Sequence, residues 1–275
     1  MAANKTNTQT ALHDAIRMVL HEGSTAVLVT VIESDSLKVG SKLLIRETGE
    51  AVGDLGDPGL NEATLNEASR FLLMRDGTRA SRVGEFAADL ASLSNSTVLF
   101  ERIENEPCLV VGGAGHVGAS LARLASLVGY QVTLIDDRAE FVARELFASP
   151  SEQEVNLVAA DSWPDALRVA VGKGRAVSVA IVTRGHKQDE DCLRAAVAAN
   201  PDYIGMIGSR RRTNIVLDKL REEGFPEEQL KKVRAPIGLD IGAVSPEEVA
   251  LAILAEIVAE RRGGAGGSLS AWRRP

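Results

Sequence analysis

Cys108-Leu109-Val110-Val111-Gly112-Gly113-Ala114-Gly115-His116-Val117-Gly118 is the stretch that decides how this chain is read. An apolar run breaks into closely spaced glycines and resumes as a helix-like pattern over Ala119 to Val128, which reads as strand, tight turn and helix. Gly113, Gly115 and Gly118 stand at the GxGxxG spacing. There the first glycine permits the turn, the second lets a pyrophosphate approach the backbone, and the third lets the helix pack closely on the strand. The helix aims its amide N–H groups and the positive end of its dipole at the same spot, so Gly113, Ala114, Gly115, His116, Val117 and Gly118 are read as a phosphate cradle. A βαβ unit whose glycines serve packing alone is the alternative.

The sequence around the turn supports the first reading. Gln131-Val132-Thr133-Leu134-Ile135-Asp136 follows as a second buried strand. Asp136 falls about 20 residues past the glycines, where an acidic side chain accepts from ribose hydroxyls and favours NAD over NADP. As a plain turn residue beside Asp137 it would need no such role. Further strands, Leu157–Ala160, Val177–Val182 and Tyr203–Ile207, alternate with helical segments. Near-continuous apolar strands in that order predict a doubly wound parallel sheet of Rossmann-like α/β type, covered on both faces.

Four loops then emerge at the carboxyl ends of the strands, where open α/β sheets bind ligands: the glycine turn, Asp136-Asp137-Arg138, Thr183-Arg184-Gly185-His186, and Gly208-Ser209-Arg210-Arg211-Arg212. Ser209 reads as a helix cap. Arg210 and Arg211 offer forked donors to an anion at a helix end whose dipole disfavours cations, or form a solvated basic helix start. His186 with Asp189 is an acid/base pair or part of a substrate site, or else His186 is a plain loop histidine. Asp240 lies in Arg234–Ala243, a glycine- and proline-containing loop that either bears a site residue or turns a corner. Ser245-Pro246-Glu247-Glu248 reads as a capping box with proline in the first turn, opening a helix to about Arg261.

The first half reads as a smaller α/β unit. His13 to Leu20 is helix-like, Ala26–Ile32 and Ser41–Arg46 are strands, and Thr48-Gly49-Glu50 closes a hairpin. A loop of glycine and aspartate over 53–59, a helix from Asn61 to Met74 and a strand at Thr97–Ile103 follow. The expected division is 1–104 for this unit, 105–262 for the Rossmann-like domain and 263–275 for a flexible tail. The chain has 275 residues, 45% of them hydrophobic, and a net charge of −7 spread along its length, which leaves no basic face for nucleic acid. No apolar run approaches ~20 residues, so neither a membrane span nor a signal peptide is expected and the cytoplasm is the default address. Four histidines and two cysteines are scattered without metal spacing, and both Cys108 and Cys192 are read as core thiols.

Gly113–Gly118, Asp136-Asp137-Arg138 with Glu140, His186 with Asp189, Ile207–Arg211, Ala235–Ala243 and Pro246–Ala250 together resemble the XdhC/CoxI family, accessory proteins of molybdenum hydroxylases such as xanthine dehydrogenase. The resemblance implies a Rossmann domain behind a smaller N-terminal domain. It also implies binding of molybdenum cofactor in the cleft between them, handling during sulfuration with a cysteine desulfurase as partner, delivery to a client hydroxylase, and a homodimer. This chain departs from the family in two places. Where relatives read glycine, glycine, cysteine, glutamate, it has Gly56-Asp57-Pro58-Gly59-Leu60-Asn61-Glu62, and Arg234 stands where they often place histidine. A thiol in that loop would be the soft ligand or sulfur carrier, so its absence argues against direct cofactor chemistry there. The ligand of the turn is therefore expected to be molybdenum cofactor (molybdopterin) or NAD. The rival functions are an NAD-dependent oxidoreductase and a non-catalytic nucleotide sensor.

Overall fold

The computed structural model describes residues 2–74, 77–149, 154–172 and 175–270. Contacts divide the chain after Asn105 into two units.

The first unit contains α1 (Ala2–Glu22), β1 (Ala26–Glu33), β2 (Lys42–Arg46), β3 (Ala51–Asp54), α2 (Pro58–Leu73), β4 (Thr78–Arg82), α3 (Val83–Phe86) and β5 (Thr97–Ile103). The strands form one antiparallel sheet in the order β3-β2-β1-β5-β4. Strand periodicity sorts the side chains of β1 between two cores. Val27, Val29 and Val31 join Leu43, Ile45, Phe100 and, from α2, Leu60, Ala68 and Phe71, whereas Ala26 and Leu28 join Leu44 and, from α1, Leu12 and Val19.

Two strands here depart from the sequence reading. The expected 53–59 loop begins inside β3, where Gly53, at φ +115°, lies so close to β2 that a Cβ would come 2.3 Å from the Lys42 carbonyl oxygen. β4, Thr-Arg-Ala-Ser-Arg, is a polar edge strand with only Ser81 buried. Both owe their conformation to the neighbour that pairs with them, which a local pattern does not report.

The second unit contains β6 (Cys108–Gly112), α4 (His116–Leu127), β7 (Gln131–Asp136), β8 (Asn156–Ala159), α5 (Trp163–Val171), β9 (Val177–Ile181), α6 (His186–Ala199), β10 (Tyr203–Met206), α7 (Arg210–Glu222), α8 (Glu227–Leu230), β11 (Val233–Arg234) and α9 (Pro246–Arg262). Its strands are all parallel, in the order β11-β10-β9-β6-β7-β8. The order reverses between β6 and β9, and the ligand crevice of such sheets opens at that switch point.

Burial on both faces explains the apolar runs. Leu109, Val111 and Leu134 face a core shared with Leu121, Ala122 and Ala125 of α4 and Ile253, Leu254 and Ile257 of α9. On the opposite face Val110, Ile135, Val179 and Ile181 meet Leu167 of α5, Leu193 and Val197 of α6 and Val216 of α7. Ser245 closes the expected capping box: its hydroxyl accepts from Glu248 N at 3.2 Å, and the Glu248 carboxylate accepts from Ser245 N at 3.0 Å. Beyond α9, Gly264 N donates to Ala259 O at 2.7 Å and Gly266 lies against Leu239. Residues 271–275 of the expected tail lie outside the described residues.

Candidate functional site

The three motif glycines have different reasons for being glycine. Gly113 sits at φ +112°, and a Cβ there would come 2.6 Å from Val182 O. Gly118 lies in the first turn of α4 so close to the turn that a Cβ would come 1.8 Å from Gly113 O. Gly115 is under neither constraint: its φ of −64° and ψ of −176° suit any residue, and a Cβ there would meet nothing within 4 Å. Gly115 is the N-cap of α4, and no side chain caps that helix. The first-turn amides of His116, Val117 and Gly118 are thus not engaged by a capping group and carry the positive end of the helix dipole. His116 is exposed and Ala114 is buried beside them.

Asp136 does something other than the sequence suggested. Its carboxylate is 2% exposed and accepts four hydrogen bonds, from Ala114 N (2.7 Å), Arg138 N (3.0 Å), Arg138 Nε (2.8 Å) and Arg138 Nη2 (2.9 Å). That fills the acceptor positions of a carboxylate. Asp136 is therefore a strut of the glycine turn, with no lone pair left for a ribose hydroxyl in this arrangement. Burial pushes its carboxyl up, but the bonds from Arg138 and Ala114 outweigh this and hold it below the usual carboxylate range. The guanidinium carbon of Arg138 sits over Phe141, 3.6 Å from the ring centroid. The neighbouring carboxylate, Asp137, is the open one: Arg138 Nε stands 3.8 Å from one oxygen and Arg184 Nη2 3.6 Å from the other.

After β9, Thr183 donates its hydroxyl hydrogen to the carboxylate of Asp189, which is fully buried in the first turn of α6 and pairs with Arg212 of α7. Burial pushes the Asp189 carboxyl up, against smaller opposing effects of Thr183, Arg212 and His186. His186 is exposed while Asp189 is turned inward. Ser209 caps α7 as the sequence suggested, accepting from Arg212 N at 3.3 Å. Arg210 and Arg211 are exposed, and Arg212, part of the arginine run but not among the expected site residues, is the arginine that faces inward. The buried positions Thr213, Val216 and Leu220 mark the inner face of α7, and that spacing was the available signal. The loop bearing Asp240 is tied to α9 through Gly238 N to Glu256 at 2.7 Å and Leu239 N to Ala252 O at 3.1 Å, with the Asp240 side chain exposed.

The thiols are not equivalent. Cys192 is fully buried, and burial pushes its thiol far up. Cys108, expected in the core, is only half-buried, because as the first residue of the central strand β6 it lies at the amino-terminal end of the sheet, near Glu106 O and Gln131. It is at the end of β6 opposite the glycine turn. In the loop over Gly56–Glu62, Asp57 caps α2 by accepting from Leu60 N at 2.8 Å, and Asp54 accepts from Gly56 N at 2.8 Å and Asn61 Nδ2 at 2.9 Å. Among the described residues no group of three His, Cys, Asp or Glu side chains is placed to hold a metal ion, and no helix is long and apolar enough to cross a membrane.

A parallel sheet of this order with an open glycine turn at its switch point has the architecture of a Rossmann domain. Residues 109–257 match the family described as XdhC Rossmann domain, and residues 19–84 match the XdhC and CoxI family. The chain belongs to the XdhC/CoxI family. It is similar to the "Uncharacterized protein YqeB" of Escherichia coli K12, 30% identical over 231 residues that make up 82% of this chain and 41% of that protein. A probable xanthine dehydrogenase subunit of Bacillus subtilis 168 is 25% identical over 250 residues, 91% of this chain and 65% of that protein. The "Molybdenum cofactor insertion chaperone PaoD" of Escherichia coli K12 is 39% identical over 69 residues, 25% of this chain and 22% of that one. The chain spans less than two thirds of the length of these curated relatives. A crystal structure described as a xanthine dehydrogenase from Bacillus halodurans shares the fold, with a TM-score of 0.51, 18% identity and coverage of 94% of this chain and 98% of that one.

Proposed function

We propose that this chain is an accessory protein of molybdenum hydroxylases of the xanthine dehydrogenase type, holding a phosphorylated cofactor, molybdenum cofactor or NAD, on the turn from Gly113 to Gly118. The observation that carries this reading is Gly115, a glycine that neither backbone conformation nor packing requires and whose missing side chain leaves open space above the first-turn amides of α4. Phosphate oxygens fit such a place: the amides supply donors and the dipole supplies charge.

The fit extends to the phosphate group and not to the metal. A dithiolene-bound molybdenum favours soft donors, whereas Cys192 is sealed in the core and Cys108 lies at the far end of β6. Sulfur for a client's cofactor accordingly comes from a partner such as a cysteine desulfurase, and this chain contributes binding and presentation to the apo-hydroxylase. The names of the Bacillus subtilis and PaoD relatives support that direction.

The test is to purify the protein and its Gly115→Val variant and identify the co-purifying small molecule by mass spectrometry. A pterin or dinucleotide present with the parent and missing from the folded variant supports the reading. Parent and variant that carry the same ligand in equal amount would overturn it.

A further inference from the structure

Arg184 and Asp137 meet across the mouth of the glycine turn. The sheet order places β6 between β9 and β7, Arg184 follows β9 and Asp137 follows β7, and their charged groups approach to 3.6 Å. The contact therefore passes over the end of β6, where Gly113 and the start of α4 lie. Both partners are open to solvent, with the Arg184 side chain 56% and that of Asp137 30% exposed, and a pair of this length and exposure is weak. Asp137 has a second cation beside it, Arg138 Nε at 3.8 Å. Arg138 itself is pinned by Asp136 and Phe141, so it presents a fixed charge, while among the described residues Asp137 is the ion-pair partner of Arg184.

We infer that Arg184 is a phosphate-binding residue of this site and that Asp137 is its placeholder, a carboxylate that holds the guanidinium over the turn and is exchanged for the phosphate of an entering ligand. The inference rests on the glycine turn being a phosphate site and adds to it the side chain that closes on the anion. The ligand class is a phosphate ester or diphosphate. A multiply charged phosphate offers Arg184 a bidentate partner with more charge than a single carboxylate, so exchange is favourable, and Asp137 is a competitor of the ligand.

Asp137 as competitor predicts opposite effects for the two partners. With ADP as probe in titration calorimetry on the full chain, Arg184→Ala weakens binding by roughly tenfold, as loss of a charge-assisted hydrogen bond does. Asp137→Asn, which keeps the size of the side chain and removes its charge, tightens binding severalfold. Both residues are at the surface, and equal melting temperatures of the variants and parent check that neither change acts through folding. Asp137→Asn weakening ADP as Arg184→Ala does would overturn the placeholder role and make Asp137 a ligand contact. Unchanged affinity in Arg184→Ala, with ADP binding still abolished by Gly115→Val, would remove Arg184 from the site and leave the glycine turn standing. No binding of ADP or of inorganic pyrophosphate by the parent would overturn both readings.

Discussion

Gly115 and Gly118 occupy neighbouring turns of one motif, yet replacing each by alanine has opposite consequences. At Gly118 the new Cβ would lie 1.8 Å from Gly113 O, 2.9 Å from Gly113 C and 3.1 Å from a methyl of Val182. Relief requires α4 to move away from the turn by more than an ångström, and Gly113 has no room to retreat, being itself packed on the Val182 carbonyl. Overpacking of backbone on backbone belongs at the upper end of the usual range, about 3 kcal/mol, which for a unit of this size lowers the melting temperature by about 6–12 °C. At Gly115 the conformation already suits alanine and the Cβ enters empty space. The only cost is the poorer capping preference of alanine, about 1 kcal/mol at most, or about 2–4 °C. Calorimetric melts of the two variants, each paired with an ADP titration, separate the cases: Gly118→Ala loses stability, and Gly115→Ala keeps stability while losing affinity. Equal destabilisation by the two changes would refute the geometric argument, and parental affinity in both Gly115→Ala and Gly115→Val would refute the cradle.

Asp136 and Asp189 titrate with opposite sign. The folded-state pKa of Asp136 is lowered, so its contribution is present above an unfolded value of about 3.9 and is lost as pH falls through the folded one. That of Asp189 is raised, so its contribution is full below about 3.9 and is lost as pH rises through the folded value. Melting temperatures recorded from pH 2.5 to 6 should therefore rise less steeply with pH in Asp136→Asn than in the parent, and more steeply in Asp189→Asn. Cys192, buried and with a suppressed thiolate, should resist iodoacetamide until the protein unfolds, whereas Cys108 is alkylated in the native state; peptide mass mapping with and without urea decides this, and native labelling at Cys192 would contradict its placement. Tyr203→Phe removes the 2.7 Å bond to Glu256, which also accepts from Gly238 N. Urea titration should show a loss of about 1–3 kcal/mol, and an unchanged midpoint would mean that the bond contributes nothing.

The sequence by itself determined the main strands and long helices of the second unit, but not the short α8 and β11. That unit's central strands β6, β9 and β10 are buried on both faces and appear as largely apolar runs, and its helices announce their ends through Ser209, the Ser245–Glu248 capping box and the glycines of the turn. Those signals are local, and a reader of residues can collect them without knowing what packs on what. The edge strands β3 and β4 are not legible in that way, because backbone pairing with β2 and β5 holds them with little help from their own side chains.

The same distinction separates the cradle from its surroundings. The glycine spacing is written in the sequence, but which glycine the fold requires and which it leaves free depends on distances to Val182 and Gly113 that only the packed sheet creates. Asp136 was legible as an acid at the end of a strand, and tertiary structure turned it inward because Ala114 N and Arg138 satisfy all its acceptor positions. The pairings of Arg212 with Asp189 and of Arg184 with Asp137 join residues 23 and 47 positions apart. Charged side chains of that separation carry no mutual pattern along the chain, and the partners become visible only when the parallel strands bring their loops to one edge.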